Sequence, residues 1–420
     1  MIEKIKKSSF LKNTLLLVSG TTIAQAIPMV ISPILTRIYE PKSFGVLMIY
    51  VSYISILGVI ATTRYEKAII IPSSDHKAKS LVGLSQLFII LFCILLGIIN
   101  LFFGNWILTQ LNAQELIPYS WMLVLGVLFL ASDQTYYHWA NRVSAYKAMS
   151  ISKISNNLSS GISSLLFGFL QWEAIGLMAS KVIGIMASTI TNLRTFTLKS
   201  LQELTVGDLK SVAKEYISFP KYIMPGHLLN AIALNGPPIA FALFYTETEV
   251  GYFALTQRVI MLPVSIIARS VGDVFRQKAT DQYNKLGNFR SLYLKTLGGL
   301  FAASILPFIV LLLFSPFLFT FIFGAEWENS GLYAQILAIL FLLQFITSPL
   351  TNVFIITGKQ KLEFVWQILF LLSSILPIIV GYYIFNNMYD TLILFAVSRA
   401  AIYLLSLFLT LPLSIKKVKQ

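Results

Sequence analysis

Apolar stretches long enough to cross a hydrocarbon layer recur along this whole chain, and its basic residues gather in alternate gaps between them. A spanning helix needs about 20 mostly apolar residues. Twelve spans are expected, near 14–36, 44–62, 81–103, 117–138, 148–170, 174–193, 217–244, 250–271, 295–320, 331–356, 362–385 and 390–412. Of the 32 Lys and Arg residues, 26 fall on one side, in the terminal segments and every second loop. The opposite loops hold only Arg37 and Lys42, with acids such as Glu115, Glu173, Glu247, Glu249, Glu326, Glu328 and Asp390. One miscounted span would invert every later loop, so the alternation supports the count. Cytoplasmic loops carry the excess of Lys and Arg, which places both termini in the cytoplasm.

The chain of 420 residues is 56% hydrophobic and 12% charged, with a mean hydropathy of +0.75. Soluble domains carry about 25% charged residues, so this is an all-α polytopic membrane protein. The net charge of +14 follows from the basic loops and does not point to nucleic acid. The lone Cys93 allows no internal disulfide and no Cys-based metal site, and His76, His138 and His227 form no local ligand motif. No cleavable signal peptide is evident. The outer loops are too short to build a domain.

The first hairpin, Ile23 to Pro72, is the most informative stretch. Its first span contains Pro28 and Pro33, and its second ends in Arg64-Tyr65-Glu66-Lys67. A proline inside a helix frees a carbonyl, which a membrane helix can satisfy by recruiting a neighbour. The second half begins alike. Pro33-Ile34, Tyr39, Glu40, Gly45 and Tyr50 are matched in order by Pro238-Ile239, Tyr245, Glu247, Gly251 and Tyr252. Pro220 and Pro225 answer Pro28 and Pro33, and Arg276-Gln277-Lys278 answers the charged cluster. An even offset of six spans gives the halves one orientation, related by a pseudo-two-fold axis along the membrane normal, as in some secondary transporters. The expected division is a six-helix lobe over 1–200, a cytoplasmic linker with an amphipathic piece over 201–216, and a second lobe over 217–420.

The segments SGTTIAQAIPMVISPILTRIYEPKSFG, RYEKAIIIP and FIFGAEWENSG resemble the polysaccharide transporter branch of the multidrug/oligosaccharidyl-lipid/polysaccharide exporter superfamily, the O-antigen and capsule repeat-unit (Wzx-type) flippases. The resemblance covers essentially the whole chain. It implies two lobes around a central cavity in the bacterial inner membrane. It also implies movement of an undecaprenyl-pyrophosphate-linked oligosaccharide to the outer leaflet, alongside the polymerase and chain-length regulator of such a pathway.

Charges inside spans are costly and usually face a cavity. Arg37, Lys181, Arg258 and Arg399 are candidate substrate-binding cations, the last three at similar depth. Guanidinium groups grip phosphates bidentately; the alternative is that these side chains snorkel to headgroups. Arg269 and Lys153, nearer the cytoplasmic ends, fit snorkelling. Asp133 could bind a coupling H⁺ or Na⁺, or pair with an intramembrane cation. Gln25, Thr36, Asn230, Asn235, Gln257 and Gln344 could meet sugar hydroxyls or neighbouring helices. Pro28, Pro33, Pro220, Pro225, Pro263 and Pro349 are candidate bending points. No G-x-x-x-x-G-K-[ST], H-E-x-x-H or serine-elbow motif is present, so no catalytic residue and no resident cofactor is assigned. A multidrug cation antiporter on the same fold would want an acidic cavity. A membrane glycosyltransferase or polymerase would want a large outer loop or acids there.

Overall fold

The computed structural model describes residues 2–415. Lys416, Lys417 and Lys419, part of the terminal basic group, lie outside them. Among the described residues twelve long helices account for most of the chain: α1 (Ile2–Leu35), α2 (Pro41–Thr62), α3 (Asp75–Gln110), α4 (Trp121–Arg142), α5 (Tyr146–Phe169), α6 (Glu173–Leu193), α7 (Met224–Phe244), α8 (Glu247–Leu286), α9 (Arg290–Phe323), α10 (Glu328–Thr347), α11 (Gln360–Phe385) and α12 (Met388–Leu413). They form two lobes of six, and each expected span overlaps one of them.

The helix ends follow local chemistry. Pro41 opens α2 at a position where its missing N–H is not needed. Thr246 and Glu249 form a reciprocal capping box at the start of α8, and Gly287, at φ 65°, closes that helix in the left-handed region. Asn387 accepts from the Tyr389 N–H to start α12. Two expected spans are interrupted. The seventh begins with a π turn, Phe219–Ile223, in which the Met224 N–H reaches the Phe219 carbonyl, just after Pro220. The tenth breaks at Ser348–Thr351, around Pro349, before a short helix Asn352–Ile356. The side chain of Pro263 lies outside the described residues; α8 changes direction by 41° between Met261 and Val264.

By length and hydropathy eight of these helices can cross a bilayer, or nine with bent α8 counted once. The protein is a multi-pass membrane protein. Two helices of the first lobe, α4 and α5, fall short because polar residues replace apolar ones along them. In contrast, α3 and α9, third in their lobes, are the most apolar. Only 17% of each one's apolar window is buried, against 56% for α2, which marks both as lipid-facing.

The compact units are Met1–Ala231 and Ile232–Gln420. The division therefore falls inside α7, not before it as expected. The reason is packing. Val212 and Phe219 are buried with Tyr65, Ile69, Leu81 and Trp139 in a core of the first unit. The helix Val206–Glu215 is also held to α3 by Lys77 on Glu215 at 2.8 Å. The stretch expected as a linker over 201–216 is thus part of the first unit. In the second unit Phe275, Phe289, Tyr293, Leu350 and Val353 make a comparable core.

The internal repeat has a physical counterpart. Tyr39, just after α1, donates its hydroxyl to the Ser164 carbonyl at 2.7 Å. Its match Tyr245, just after α7, shares a 2.6 Å hydrogen bond with Thr391. Each tyrosine ties the first helix of its lobe to a later one. Tyr50 donates to the Met122 carbonyl at 3.0 Å, joining α2 to α4. The residue that repeats this is Thr256, donating to the Ser330 carbonyl at 2.7 Å and joining α8 to α10. Tyr252, the sequence match of Tyr50, instead meets the rings of Trp327 and Tyr333 edge-on.

Candidate functional site

Prolines decide where polar side chains are needed inside this protein. Pro28 has no N–H for the Ala24 carbonyl, and Asn157 of α5 donates to that carbonyl at 2.6 Å. Pro316 frees the Leu312 carbonyl, which Gln335 of α10 caps at 2.9 Å. Pro237 frees the Ala233 carbonyl, and Arg399 of α12 points Nη1 at it from 3.5 Å. These are neighbouring helices satisfying backbone groups that lipid cannot.

This changes the reading of two expected cations. Arg399 is only 5% exposed. Its guanidinium lies 4.3 Å from the Phe370 ring centroid and 5.4 Å from that of Phe395. It is a buried brace for a proline break, in an aromatic cage that offsets part of its desolvation. Arg37 is exposed and donates to the Pro33 carbonyl at 2.7 Å, closing the last turn of α1. Lys181 and Arg258 are half-buried. Of the four, Lys181 is the one placed beside the expected ion site, where its charge acts on Asp133.

Around Asp133 the first lobe builds a polar interior on α4, α5 and their neighbours. Asp133 Oδ1 accepts from Ser188 at 2.8 Å and Asn192 at 2.9 Å, both on α6. Lys153 was expected to snorkel. It donates instead to Thr21 Oγ1 at 2.9 Å and lies over the Tyr137 ring at 5.6 Å, so it joins α5 to α1 and α4. One residue beyond Asp133, Gln134 reaches the corner that follows α2.

That corner carries the RYEK sequence. Thr63 and Arg64 are consecutive non-glycine residues in the left-handed region, at φ 48° and 64°. Each such conformation costs about 1–3 kcal/mol and persists only where surroundings enforce it. The enforcement is visible. Tyr65 donates to the Ala213 carbonyl at 3.0 Å. Arg142 grips the Ile69 and Pro72 carbonyls at 3.1 and 2.7 Å and pairs with Asp75 at 2.9 Å. The turn brings Arg64 Nη1 within 3.1 Å of Glu66 Oε1 and 3.5 Å of Gln134 Oε1. Glu66 is fully buried, and burial pushes its carboxyl above the usual carboxylate range against the pull of Arg64 and Lys67. Burial and the nearby Arg64 charge depress Lys67. Arg64 Nε, Glu66 Oε2 and His138 Nδ1 are buried without a hydrogen-bond partner among the described residues. Sequence reading noted this cluster and matched it with Arg276-Gln277-Lys278. Those residues lie exposed on α8 and form no corner.

The sequence profile of the family described as "Polysaccharide biosynthesis protein" matches residues 34–332. The chain belongs to that family. No curated protein sequence matches it. Among solved structures, this family member is similar to the lipid II flippase MurJ in an inward closed conformation, with a TM-score of 0.73, 14% identity, and coverage of 94% of this chain and 87% of that one. It is also similar to an inward-facing multidrug resistance MATE transporter of the MOP superfamily, with a TM-score of 0.65, 13% identity and 96% coverage of both chains. An outward-facing MATE transporter gives a TM-score of 0.60 at 14% identity, covering 95% of this chain and 94% of that one. At these identities the likeness establishes the fold, which all three share with this chain.

Proposed function

We propose that this protein is a flippase. It carries an undecaprenyl-pyrophosphate-linked oligosaccharide repeat unit, of O-antigen, capsule or similar type, from the cytoplasmic to the outer leaflet of the bacterial inner membrane by alternating access. Family membership ties the chain to polysaccharide biosynthesis. The shared fold supports movement of a membrane-bound cargo. The observation that carries the choice of cargo is the charge of the first lobe's polar interior. Arg64 and Lys67 act on Glu66 and Lys181 acts on Asp133, while Lys153 donates to Thr21, and both acids already have protein partners. Such an interior suits a pyrophosphate head, and sugar hydroxyls can exchange hydrogen bonds with its Asn and Ser groups. A carrier of cationic drugs would need acids open to the drug.

In this reading Lys181 and Arg258 assist phosphate passage, and Asp133 holds the H⁺ or Na⁺ that drives it. The polymerase and chain-length regulator would act on the delivered units. Deleting the gene in the source bacterium should abolish surface polysaccharide while lipid-linked repeat units accumulate inside. Accumulation of long polymer, or unchanged surface polysaccharide together with drug hypersensitivity, would overturn it. Arg258→Ala and Lys181→Ala should cut export, and Arg258→Lys should restore part of it.

A further inference from the structure

We infer that the corner after α2 is a binding site for a phosphate-class anion, in which Glu66 takes up a proton as Arg64 passes from Glu66 to the anion. The inference rests on the flippase reading and adds a site and a coupling step to it.

Two basic side chains act here on one carboxylate, and two imidazoles lie within reach of their charge. Arg64 and Lys67 are neighbours on the corner, and their charges reach both His138 of α4 and His227 of α7. Among the described residues the charged groups acting on Glu66 are Arg64 and Lys67. Lys79 of α3 is half-buried, and Asp133 of α4 accepts from Ser188 and Asn192. Arg142 of α4 holds backbone carbonyls and Asp75 of α3. Lys77 of α3 holds Glu215, and His76 faces Asp208. Lys221 of the π turn lies over the Tyr222 ring. Among the described residues the corner therefore keeps an excess of positive charge over its one carboxylate.

The unpartnered atoms say what kind of ligand fits. Arg64 Nε is always a donor, and its side chain is 11% exposed. His138 Nδ1 can donate when protonated or in one neutral tautomer. An acceptor-rich anion would satisfy both, and an arginine presenting Nε and an Nη to one oxyanion makes the paired geometry that phosphates favour. The Nη1 now on Glu66 is the group that must move. If Glu66 stayed ionised beside the incoming anion, two like charges would share a buried site. Uptake of one proton from the aqueous side converts the Glu66 carboxylate to a neutral carboxyl and removes that repulsion. No other bond changes. Burial already favours the neutral form. The left-handed Thr63–Arg64 backbone is the structural expense that aims these groups at one another, and α8 has no counterpart to it.

The test uses full-length protein in lipid nanodiscs and inorganic pyrophosphate as the probe. Calorimetry at one pH in two buffers of different ionisation enthalpy counts protons taken up per anion bound. Wild type should bind with net proton uptake. Arg64→Ala should weaken binding by about tenfold or more, while Arg64→Lys keeps most of it. Glu66→Gln should bind with the proton uptake gone, and exposed Arg276→Ala should match wild type. Discs of zwitterionic lipid alone, compared with discs containing phosphatidylglycerol, separate the two sources of phosphate. Competition by phosphatidylglycerol assigns the site to a phospholipid headgroup, and its absence to a pyrophosphate head. Unchanged binding in Arg64→Ala and Lys67→Ala, or unchanged proton uptake in Glu66→Gln, overturns the inference. Should Arg64→Ala fail to fold, the proton count in Glu66→Gln decides alone. Proton-linked binding with a silent gene deletion would keep the site and remove the flippase reading; the deletion phenotype without such binding would do the reverse.

Discussion

After its second helix the first lobe turns back through a strained, buried corner at Thr63–Lys67. The second lobe runs on as one long helix and leaves Arg276 and Lys278 exposed. Both begin from the same pattern of proline, tyrosine, acid and glycine. Both anchor the first helix through a tyrosine hydroxyl, at Ser164 and at Thr391. They differ in how they satisfy what proline frees. The first lobe uses a neutral amide, Asn157, on a helix rich in serine and asparagine. The second uses a guanidinium at Pro237, Arg399 caged by Phe370 and Phe395, as well as a neutral amide, Gln335, at Pro316. One ancestral-looking plan thus supports a polar lobe and an apolar lobe. Polar chemistry gathers where two helices, α4 and α5, are too polar to pass for ordinary spans.

This contrast can be broken at its strongest point first. Arg399→Ala should destabilise the second lobe by about 3 kcal/mol, combining a desolvated cation–π contact with an orphaned carbonyl. Pro237→Ala should recover about 1 kcal/mol of it, because the restored N–H reaches the Ala233 carbonyl. Denaturant unfolding in micelles reads the cycle; strict additivity would mean the two groups are not coupled. Asn157→Ala should cost the first lobe about 1–2 kcal/mol, again with rescue by Pro28→Ala.

The corner predicts a pH signature for the first lobe. Glu66 holds its proton more tightly folded than unfolded, so its contribution is fully present below the ordinary carboxylate value. It is lost as pH rises through the raised one. The slope is at most about 1.4 kcal/mol per pH unit, and Glu66→Gln should flatten it. Smallest, Tyr39→Phe and Tyr245→Phe should each cost about 1 kcal/mol. A large inequality between them would show that the repeat is one of sequence without equal structural weight.

Much of the fold was legible because a bilayer punishes local error. Span length, basic loops and turn residues each act within a few positions, so the twelve helices could be placed from the chain alone. The site was half legible. Asp133 stood out as an acid inside a span, but Ser188 and Asn192 lie 55 and 59 residues away and carry no signal of pairing. Lys153 looked like a snorkelling end residue because depth along a helix says nothing about direction around it.

The amino-acid order by itself determined that this is a polytopic membrane protein of two like halves, with proline-freed carbonyls to be satisfied. Only the tertiary structure decided which side chain meets each carbonyl, that Arg399 is a buried brace, and that RYEK folds into a corner while its match stays on a helix. The reason is rotational. Successive residues on a helix point about 100° apart, so a side chain's partner depends on how neighbouring helices are turned and packed.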